Sequence, residues 1–219
     1  MTDTIFFTGA AGQIETYVDY PQNEVRGFAL VCHPHPLVGG TPQHKVPTLL
    51  AQLFVEQGCI VYRPNFRGVG QSQGDHDHGI GETEDMLGLI VQLHQKHPDL
   101  AFYAAGFSFG AHVIAKCHTQ LTDHNKARQL ILCGLPTADV EVAGLRRYDT
   151  PNIQGDLLLI HGELDQITKL EDLLKWARPQ RHLITVLPGA NHYFTGYLNQ
   201  LRLAISRFLH VIPRTHTQQ

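Results

Sequence analysis

The stretch from Gly106 to Gly110 reads Gly-Phe-Ser-Phe-Gly and places Ser108 between two glycines. A serine hydroxyl becomes a useful nucleophile when a neighbouring base takes its proton, and that base must itself be oriented by a carboxylate. The flanking glycines predict a turn too tight for side chains, in which the serine is strained and strand and helix backbones come close. Ser108 is therefore the candidate nucleophile.

A second stretch, GQSQG from Gly70 to Gly74, places Ser72 in the same pattern. The surroundings of the two serines differ. An apolar strand leads into Ser108 and a proline-free segment of helical period follows it, whereas glycine-rich loop sequence lies on both sides of Ser72. A nucleophile placed between strand and helix needs the first context, so Ser72 is predicted to be a turn residue.

The partners of a serine nucleophile are sought at the ends of later strands. Asp165 follows the apolar run DLLLIHG, in a short turn that leads into a helix. Asp139, just beyond the run QLILCGL, is the runner-up, and Glu163 is a weaker rival. There are 15 histidines, so position has to choose among them. His192 alone lies between the last predicted strand and the closing helix, and it is the candidate base.

An acyl-transfer site also needs two N–H groups directed at the oxygen that gains negative charge. The amide of Phe109, which follows the serine at the start of a helix, is one candidate. The second donor is sought in the loop HPHPLVGG, where Pro34 and Pro36 have no N–H. His35 or Leu37 remains, and His35 is preferred.

Apolar and aromatic side chains near these motifs predict a site that takes a small acyl substrate. The residues assigned to substrate binding are Leu37, Phe107 and Tyr193. They indicate a partly apolar ligand but do not identify it.

Short apolar runs alternate with segments of helical period, which is typical of a parallel sheet covered on both faces. The predicted strands are 28–34, 59–65, 100–106, 129–135, 156–162 and 182–189, and the predicted helices are 46–58, 82–98, 109–121, 169–177 and 197–211. Residues 4–8 and 14–20 predict an antiparallel hairpin at the sheet edge. The fold class is α/β, a mostly parallel twisted sheet in a single domain over residues 1–219, with frayed residues 214–219.

Composition excludes several function classes. The 219 residues are 42% hydrophobic and 17% charged with a net charge of -3, which is typical of a globular protein without a basic surface for nucleic acid. No apolar run reaches the ~20 residues of a membrane helix, and the first residues do not resemble a leader peptide. A cytoplasmic protein with no membrane or nucleic-acid partner is expected. The four cysteines are expected to be reduced and buried.

Five motifs occur in order at strand ends: CHPHPLVGG, NFRGVGQSQG, GFSFG, HGELDQIT and PGANHYF. Together they resemble the α/β-hydrolase superfamily, in particular its small, nearly capless bacterial-type members, loosely similar to dienelactone-hydrolase-like and acyl-peptidase-like enzymes. The resemblance implies a serine hydrolase that cleaves an ester, thioester or amide through a covalent acyl-enzyme, without metal or organic cofactor. Ser108 would be the nucleophile, His192 the base and Asp165 its orienter.

The sequence departs from that family at two points. His33-Pro34 stands where many members have His-Gly, and serine stands where dienelactone hydrolases proper use cysteine. The segment Pro136 to Gln154 is the only place for a cap and is short, which predicts an open and shallow site.

Two alternatives remain at this point. His33 and His35 alternate along the chain, as do His76 and His78, and such a set would suit a metal-dependent hydrolase. A non-catalytic binding protein on the same fold is the other alternative. The substrate and the oligomeric state are not predicted.

Overall fold

Eight strands form one sheet with the spatial order β1-β2-β4-β3-β5-β6-β9-β10. The structure is a computed structural model that describes residues 2–141 and 144–209. The strands of this sheet are β1 (Thr2–Gly9), β2 (Gly12–Asp19), β3 (Gly27–Cys32), β4 (Cys59–Pro64), β5 (Ala101–Phe107), β6 (Leu130–Cys133), β9 (Leu157–Gly162) and β10 (Ile184–Leu187). Strands β3, β4, β5, β6, β9 and β10 run parallel, and the β1–β2 hairpin pairs antiparallel with β4 through β2. The predicted α/β class and the edge hairpin are confirmed.

Five helices cover the two faces of the sheet. They are α1 (Lys45–Glu56), α2 (Ile80–Lys96), α3 (Phe109–Gln120), α4 (Leu170–Gln180) and α5 (Leu198–Leu209). One apolar core lies between the sheet and α2, α3 and α4, and a second lies between the sheet and α1 and α5. Because both faces are covered, the central strands β3 to β6 are buried along their whole length. The edge strand β10 is only half-buried, unlike the fully buried strand that its sequence predicts.

Most boundaries differ from the predicted ones by one to three residues, and at two of them the backbone shows why. Strand β6 ends at Cys133, two residues early, because Gly134 has a φ of 56° and turns the chain. Helix α4 continues through Pro179 and ends at Gln180, because the next residue, Arg181, has a φ of 61°. The predicted helix 197–211 is observed as α5 up to Leu209; its last two residues and the predicted frayed tail lie outside the described residues.

The segment between β6 and β9 supplies a minimal cap. Among its described residues, the regular structure is one short antiparallel ladder, β7 (Val140–Glu141) with β8 (Leu145–Arg146). The ladder was not predicted from the sequence, because two-residue strands have no periodicity to detect.

The four cysteines are buried and unpaired. In the described part of the chain, no helix has both the length and the hydrophobicity that a bilayer crossing requires.

A buried carboxylate anchors the start of α2. Glu82 is fully buried and accepts hydrogen bonds from the amides of Asp77 (3.0 Å) and Gly79 (2.8 Å), and its Oε1 lies 2.7 Å from Nδ1 of His76. Burial opposes its ionisation, but the hydrogen bonds from His76 and the backbone outweigh that effect and lower the pKa of Glu82 from 4.5 to about 2. This carboxylate holds the loop that carries His76 and His78.

We expect Glu82→Gln to destabilise the fold in a pH-dependent way. A pKa lowered from 4.5 to about 2 contributes about 3 kcal/mol of stability above pH 4.5, and that contribution is lost as the pH falls towards 2. The difference in free energy of unfolding between wild type and variant, measured by urea denaturation, should therefore shrink by about 1 kcal/mol between pH 7 and pH 3.5.

Glu84→Gln, on an exposed face of the same helix, is the control and should have little effect at either pH. A Glu82→Gln deficit that stays the same at both pH values would contradict this account.

Candidate active site

Ser108 lies at the turn from β5 into α3, with φ 55° and ψ -121°. Its amide donates to the carbonyl oxygen of Cys133 at 2.9 Å, which holds the turn beside β6. The turn depends on both flanking glycines. A Cβ added at Gly106 would collide with the carbonyl of Gly110, and one added at Gly110 would collide with the carbonyl of Cys32. The tight strand-to-helix turn predicted from the sequence is therefore present.

His192 lies in the loop between β10 and α5, and its ring connects two other side chains. Its Nε2 is 3.0 Å from Oγ of Ser108, and its Nδ1 is 2.7 Å from Oδ2 of Asp165. An ionised carboxylate can only accept, so Nδ1–H donates to Asp165 and Nε2 is left to accept from the Ser108 hydroxyl. The three residues singled out in the sequence thus form one continuous chain of hydrogen bonds.

Asp165 is buried in the turn after β9, and both of its oxygens have donors. Oδ1 accepts from the amides of Ile167 (2.9 Å) and Thr168 (2.8 Å), and Oδ2 accepts from Oγ1 of Thr168 (2.8 Å) and from His192. Burial raises the cost of its charge, but the hydrogen bond and charge of His192, with Thr168, outweigh burial and lower the pKa of Asp165. The carboxylate is therefore ionised at neutral pH.

The rival carboxylates lie elsewhere. Asp139 is exposed in the loop after β6, and Glu163 is exposed and accepts from the amide of Gly189 at 2.8 Å. Among the described residues, the side chains that form hydrogen bonds with His192 are Ser108, Asp165 and Thr168, and neither of these two carboxylates is among them. The geometry selects Asp165.

Two residues that the sequence analysis missed support this carboxylate. Oγ1 of Thr168 lies 3.2 Å from Nδ1 of His192 as well as bonding Asp165, so it contacts both partners. His161 is fully buried, and its Nε2 is 2.6 Å from the carbonyl oxygen of Thr168 and 3.5 Å from Oδ2 of Asp165. The spacing from Asp165 to Thr168 is that of a side-chain-to-backbone turn, which signals the bond to the Thr168 amide but not the contact of its hydroxyl with His192.

The loop after β3 brings His35 next to Phe109, with ring centroids 4.9 Å apart. The amide of Leu37 already donates to Nδ1 of His35 at 3.2 Å, within a short 3-10 turn over Pro36–Val38. This bond engages the N–H of Leu37, which favours His35 as the second donor. Phe109 is the first residue of α3, where backbone amides have no partner within the helix. Their roles towards an oxyanion stay predictions.

A cavity of about 70 Å³ opens at Ser108. Its lining comprises Pro34, His35, Val38, Gly39, Gly40, His44, Ser108, Arg146, Ile167, His192 and Tyr193. Of the predicted substrate contacts, Tyr193 lines this cavity and Leu37 is 71% exposed outside it. Phe107 is fully buried and packs beneath His192, with ring centroids 5.1 Å apart, so it supports the base and does not face a ligand. Arg146, His44 and Ile167 also line the cavity and were not predicted from the sequence.

A larger cavity of about 350 Å³ lies on the other side of Ile167 but does not reach Ser108. Without the nucleophile it has no group placed for acyl transfer, so the smaller cavity is the candidate active site.

Ser72 is a structural residue, as predicted. Its hydroxyl is buried, donates to the carbonyl oxygen of Asn65 at 2.8 Å and accepts from the amide of Glu15 at 3.0 Å.

Among the alternating histidines, the ring centroids of His35 and His76 are 4.6 Å apart and those of His76 and His78 are 5.1 Å apart, whereas His33 is held by other partners. His33 is fully buried, with Nδ1 2.7 Å from the carbonyl oxygen of Pro34 and Nε2 accepting from the amide of Phe66 at 3.0 Å. Burial lowers the pKa of His33 to about 3. Both of its ring nitrogens are engaged, so it is not available to a metal. Across the residues that the structure describes, no three side chains of His, Cys, Asp or Glu are grouped to hold a metal ion.

The fold and this site define a class of protein: an α/β hydrolase without a lid. No protein-family model matches the chain. It is 32% identical to an α/β serine hydrolase homologue from Coxiella burnetii, with a TM-score of 0.81 over 94% of this chain and 97% of that one. It is 29% identical to XC6422 from Xanthomonas campestris, described as an α/β serine hydrolase without lid, with a TM-score of 0.83 over 95% of this chain and 94% of that one.

The uncharacterized protein RP471 of Rickettsia prowazekii is also 29% identical, over 97% of this chain and 90% of that protein. The chain belongs to the α/β serine hydrolases, among the small members that lack a lid.

We expect the backbone at Ser108 to prefer glycine over alanine. Both Ser108→Gly and Ser108→Ala remove the hydroxyl, but only glycine adopts a φ of 55° with a ψ of -121° without strain. Relief of strain should exceed the entropy that glycine adds to the unfolded chain. Ser108→Gly should therefore be more stable than Ser108→Ala by about 1 kcal/mol in urea denaturation.

Ser206, inside α5, is the matched control. There the order should reverse, with the glycine variant less stable than the alanine variant by about 1 kcal/mol. Equal stability of the two Ser108 variants would show that the turn stores no strain.

Proposed function

We propose that this protein is a serine hydrolase that cleaves an ester, thioester or amide bond of a small acyl substrate. The observation that carries the proposal is the unbroken path from Oγ of Ser108 through His192 to Asp165, with distances of 3.0 and 2.7 Å. Both contacts are within hydrogen-bond length, and a base and nucleophile in direct contact are the requirement for activating a serine. Membership of the α/β serine hydrolases supports the same assignment.

In the first half-reaction, Nε2 of His192 takes the Ser108 proton as Oγ attacks the substrate carbonyl. Asp165 stabilises the imidazolium that forms and keeps its ring oriented. The amides of Phe109 and His35 donate to the oxyanion, and the N-terminus of α3 adds its dipole. When the tetrahedral intermediate collapses, the bond to the leaving group breaks and His192 gives its proton to that group.

In the second half-reaction, His192 takes a proton from water, and the resulting hydroxide attacks the acyl-Ser108 ester. Collapse of the second intermediate releases the carboxylic acid and returns the proton to Ser108. No step requires a metal or an organic cofactor. A cytoplasmic protein acting on a small-molecule substrate, without nucleic acid or membrane as partner, is part of the same proposal.

The direct test is covalent labelling with a fluorophosphonate probe. We expect labelling of the wild type, complete loss with Ser108→Ala, and retention with Ser206→Ala on α5 and Ser72→Ala in its loop. Mass spectrometry of the labelled peptide should place the adduct on Ser108. Equal labelling of Ser108→Ala and wild type would refute the choice of serine. Absence of labelling in every variant, with no ester turnover, would favour a non-catalytic binding protein.

Thr168 should act as a positioning residue for Asp165 and His192. Thr168→Val keeps the shape but removes the hydroxyl that donates to Oδ2 of Asp165 at 2.8 Å. Because a hydrogen bond to a charged group contributes about 1.5 kcal/mol or more, kcat for p-nitrophenyl butyrate should fall about 10-fold. KM should change little, since Thr168 does not line the Ser108 cavity.

Thr168→Ser retains the hydroxyl and should restore most of kcat. A loss of the same size in Thr168→Ser, or a loss confined to KM, would assign Thr168 a packing role.

A further inference from the structure

Arg146 is the one permanently charged side chain that lines the Ser108 cavity. It lies at the end of β8 in the minimal cap and is half-buried. The remaining lining consists of histidines, Tyr193, Ser108 and apolar or backbone groups. A substrate whose carbonyl reaches Ser108 therefore meets a single positive charge.

The guanidinium of Arg146 has no carboxylate partner among the described residues. By contrast, Arg63 and Arg67 are each paired with a buried or half-buried aspartate, Asp19 and Asp85 respectively. A half-buried charge without a counter-ion is costly, and a bound anion would supply the missing partner.

Two neighbouring side chains lie close enough to Arg146 for its charge to affect their pKa values. Burial, and then the positive charge of Arg146, lower the pKa of His35 to about 3. Burial raises the pKa of the Tyr148 phenol, and the adjacent Arg146 guanidinium opposes that rise. His35 is thus neutral, and neither His35 nor Tyr148 neutralises Arg146 at pH 7.

A cavity that adjoins the Ser108 cavity is also lined by positive charge. This cavity, called the outer cavity, has a volume of about 310 Å³ and shares Arg146 with the Ser108 cavity. It is lined by His78, Phe109, Leu145, Arg146, Arg147 and Tyr148, with no acid among them. On the opposite side of Ile167, the large cavity carries Asp139, Glu141 and Asp172 against Lys169 alone. The two sides of the nucleophile therefore have opposite charge, and an anionic group is directed to the Arg146 side.

We propose that the substrate of this site carries a carboxylate that pairs with Arg146 while its scissile carbonyl lies at Ser108. One guanidinium in the cavity matches one negative charge, and its planar pair of N–H groups fits the two oxygens of a carboxylate. The proposal rests on the proposed hydrolase function and names the substrate class for the same site.

Paired esters of matched shape test the proposal by turnover. In the acyl arm, mono-p-nitrophenyl adipate is compared with p-nitrophenyl heptanoate. In the leaving-group arm, 4-acetoxybenzoate is compared with its methyl ester. In at least one arm, Arg146→Gln should lower kcat/KM at least 10-fold for the anionic member, mainly through KM, and less than 2-fold for the neutral member. Arg146→Lys should fall between Arg146→Gln and the wild type.

Arg147→Gln is the matched control, because it removes the same charge from the adjacent position, which lines only the outer cavity. It should change both members of each pair by less than 3-fold. The proposal is wrong if Arg146→Gln affects anionic and neutral esters equally in both arms, or if Arg147→Gln has the same effect as Arg146→Gln.

A binding measurement separates this proposal from the hydrolase assignment. Adipamate, which joins a stable amide to a carboxylate, should bind the wild type at least 10-fold more tightly than Arg146→Gln in calorimetry, whereas neutral hexanamide should bind both alike. Retained fluorophosphonate labelling of Arg146→Gln shows that the nucleophile is intact. Charge-selective binding without labelling would refute the hydrolase function alone, and labelling without charge selectivity would refute the Arg146 assignment alone.

Discussion

The close approach of three backbone segments, the ends of β3 and β5 and the start of α3, is the constraint on which the site depends. Gly106 and Gly110 have no Cβ, so α3 can begin directly against the carbonyl of Cys32. That packing holds Ser108 at a φ that serine rarely adopts. The same turn places the hydroxyl at the carboxyl end of β5, beside the N-terminus of the buried helix α3, where the helix dipole favours negative charge.

A buried charge that is fully hydrogen-bonded gives the site its orientation. Asp165 has donors on both oxygens, from backbone amides, Thr168 and His192. An ionised carboxylate in that environment fixes the tautomer of His192, because Nδ1 must carry the proton. The nitrogen facing Ser108 is then a free base. His161, hydrogen-bonded to the carbonyl of Thr168, extends this polar network into the core below the site.

The surroundings of the nucleophile are unequal in charge. On one side, the β7–β8 ladder brings Arg146 to the cavity, and on the other side acidic side chains gather beyond Ile167. With so small a cap, few residues are placed to select a substrate, and Arg146 is the one permanently charged side chain among those that line the cavity. The buried histidine His33 contributes no charge there, since its pKa of about 3 keeps it neutral.

Local patterns in the sequence predicted the strands and helices well because both depend on periodic burial, which neighbouring residues encode. The chain order of Ser108, Asp165 and His192 at strand ends also sufficed to choose them from 3 serines and 15 histidines. Phe107 was misjudged as a substrate contact. As the last residue of β5, it points into the core beneath the sheet, and alternation along a fully apolar strand does not reveal which face is which.

What the sequence by itself determined was the α/β class, the strained turn at Ser108 and the three side chains that meet there, because each follows from short-range pattern and from the shared direction of parallel strands. The tertiary structure alone decided that Thr168 contacts two of those side chains and that Arg146 reaches the cavity. Such contacts join residues with no common periodicity, and their distances are set by how helices and the cap ladder pack onto the sheet.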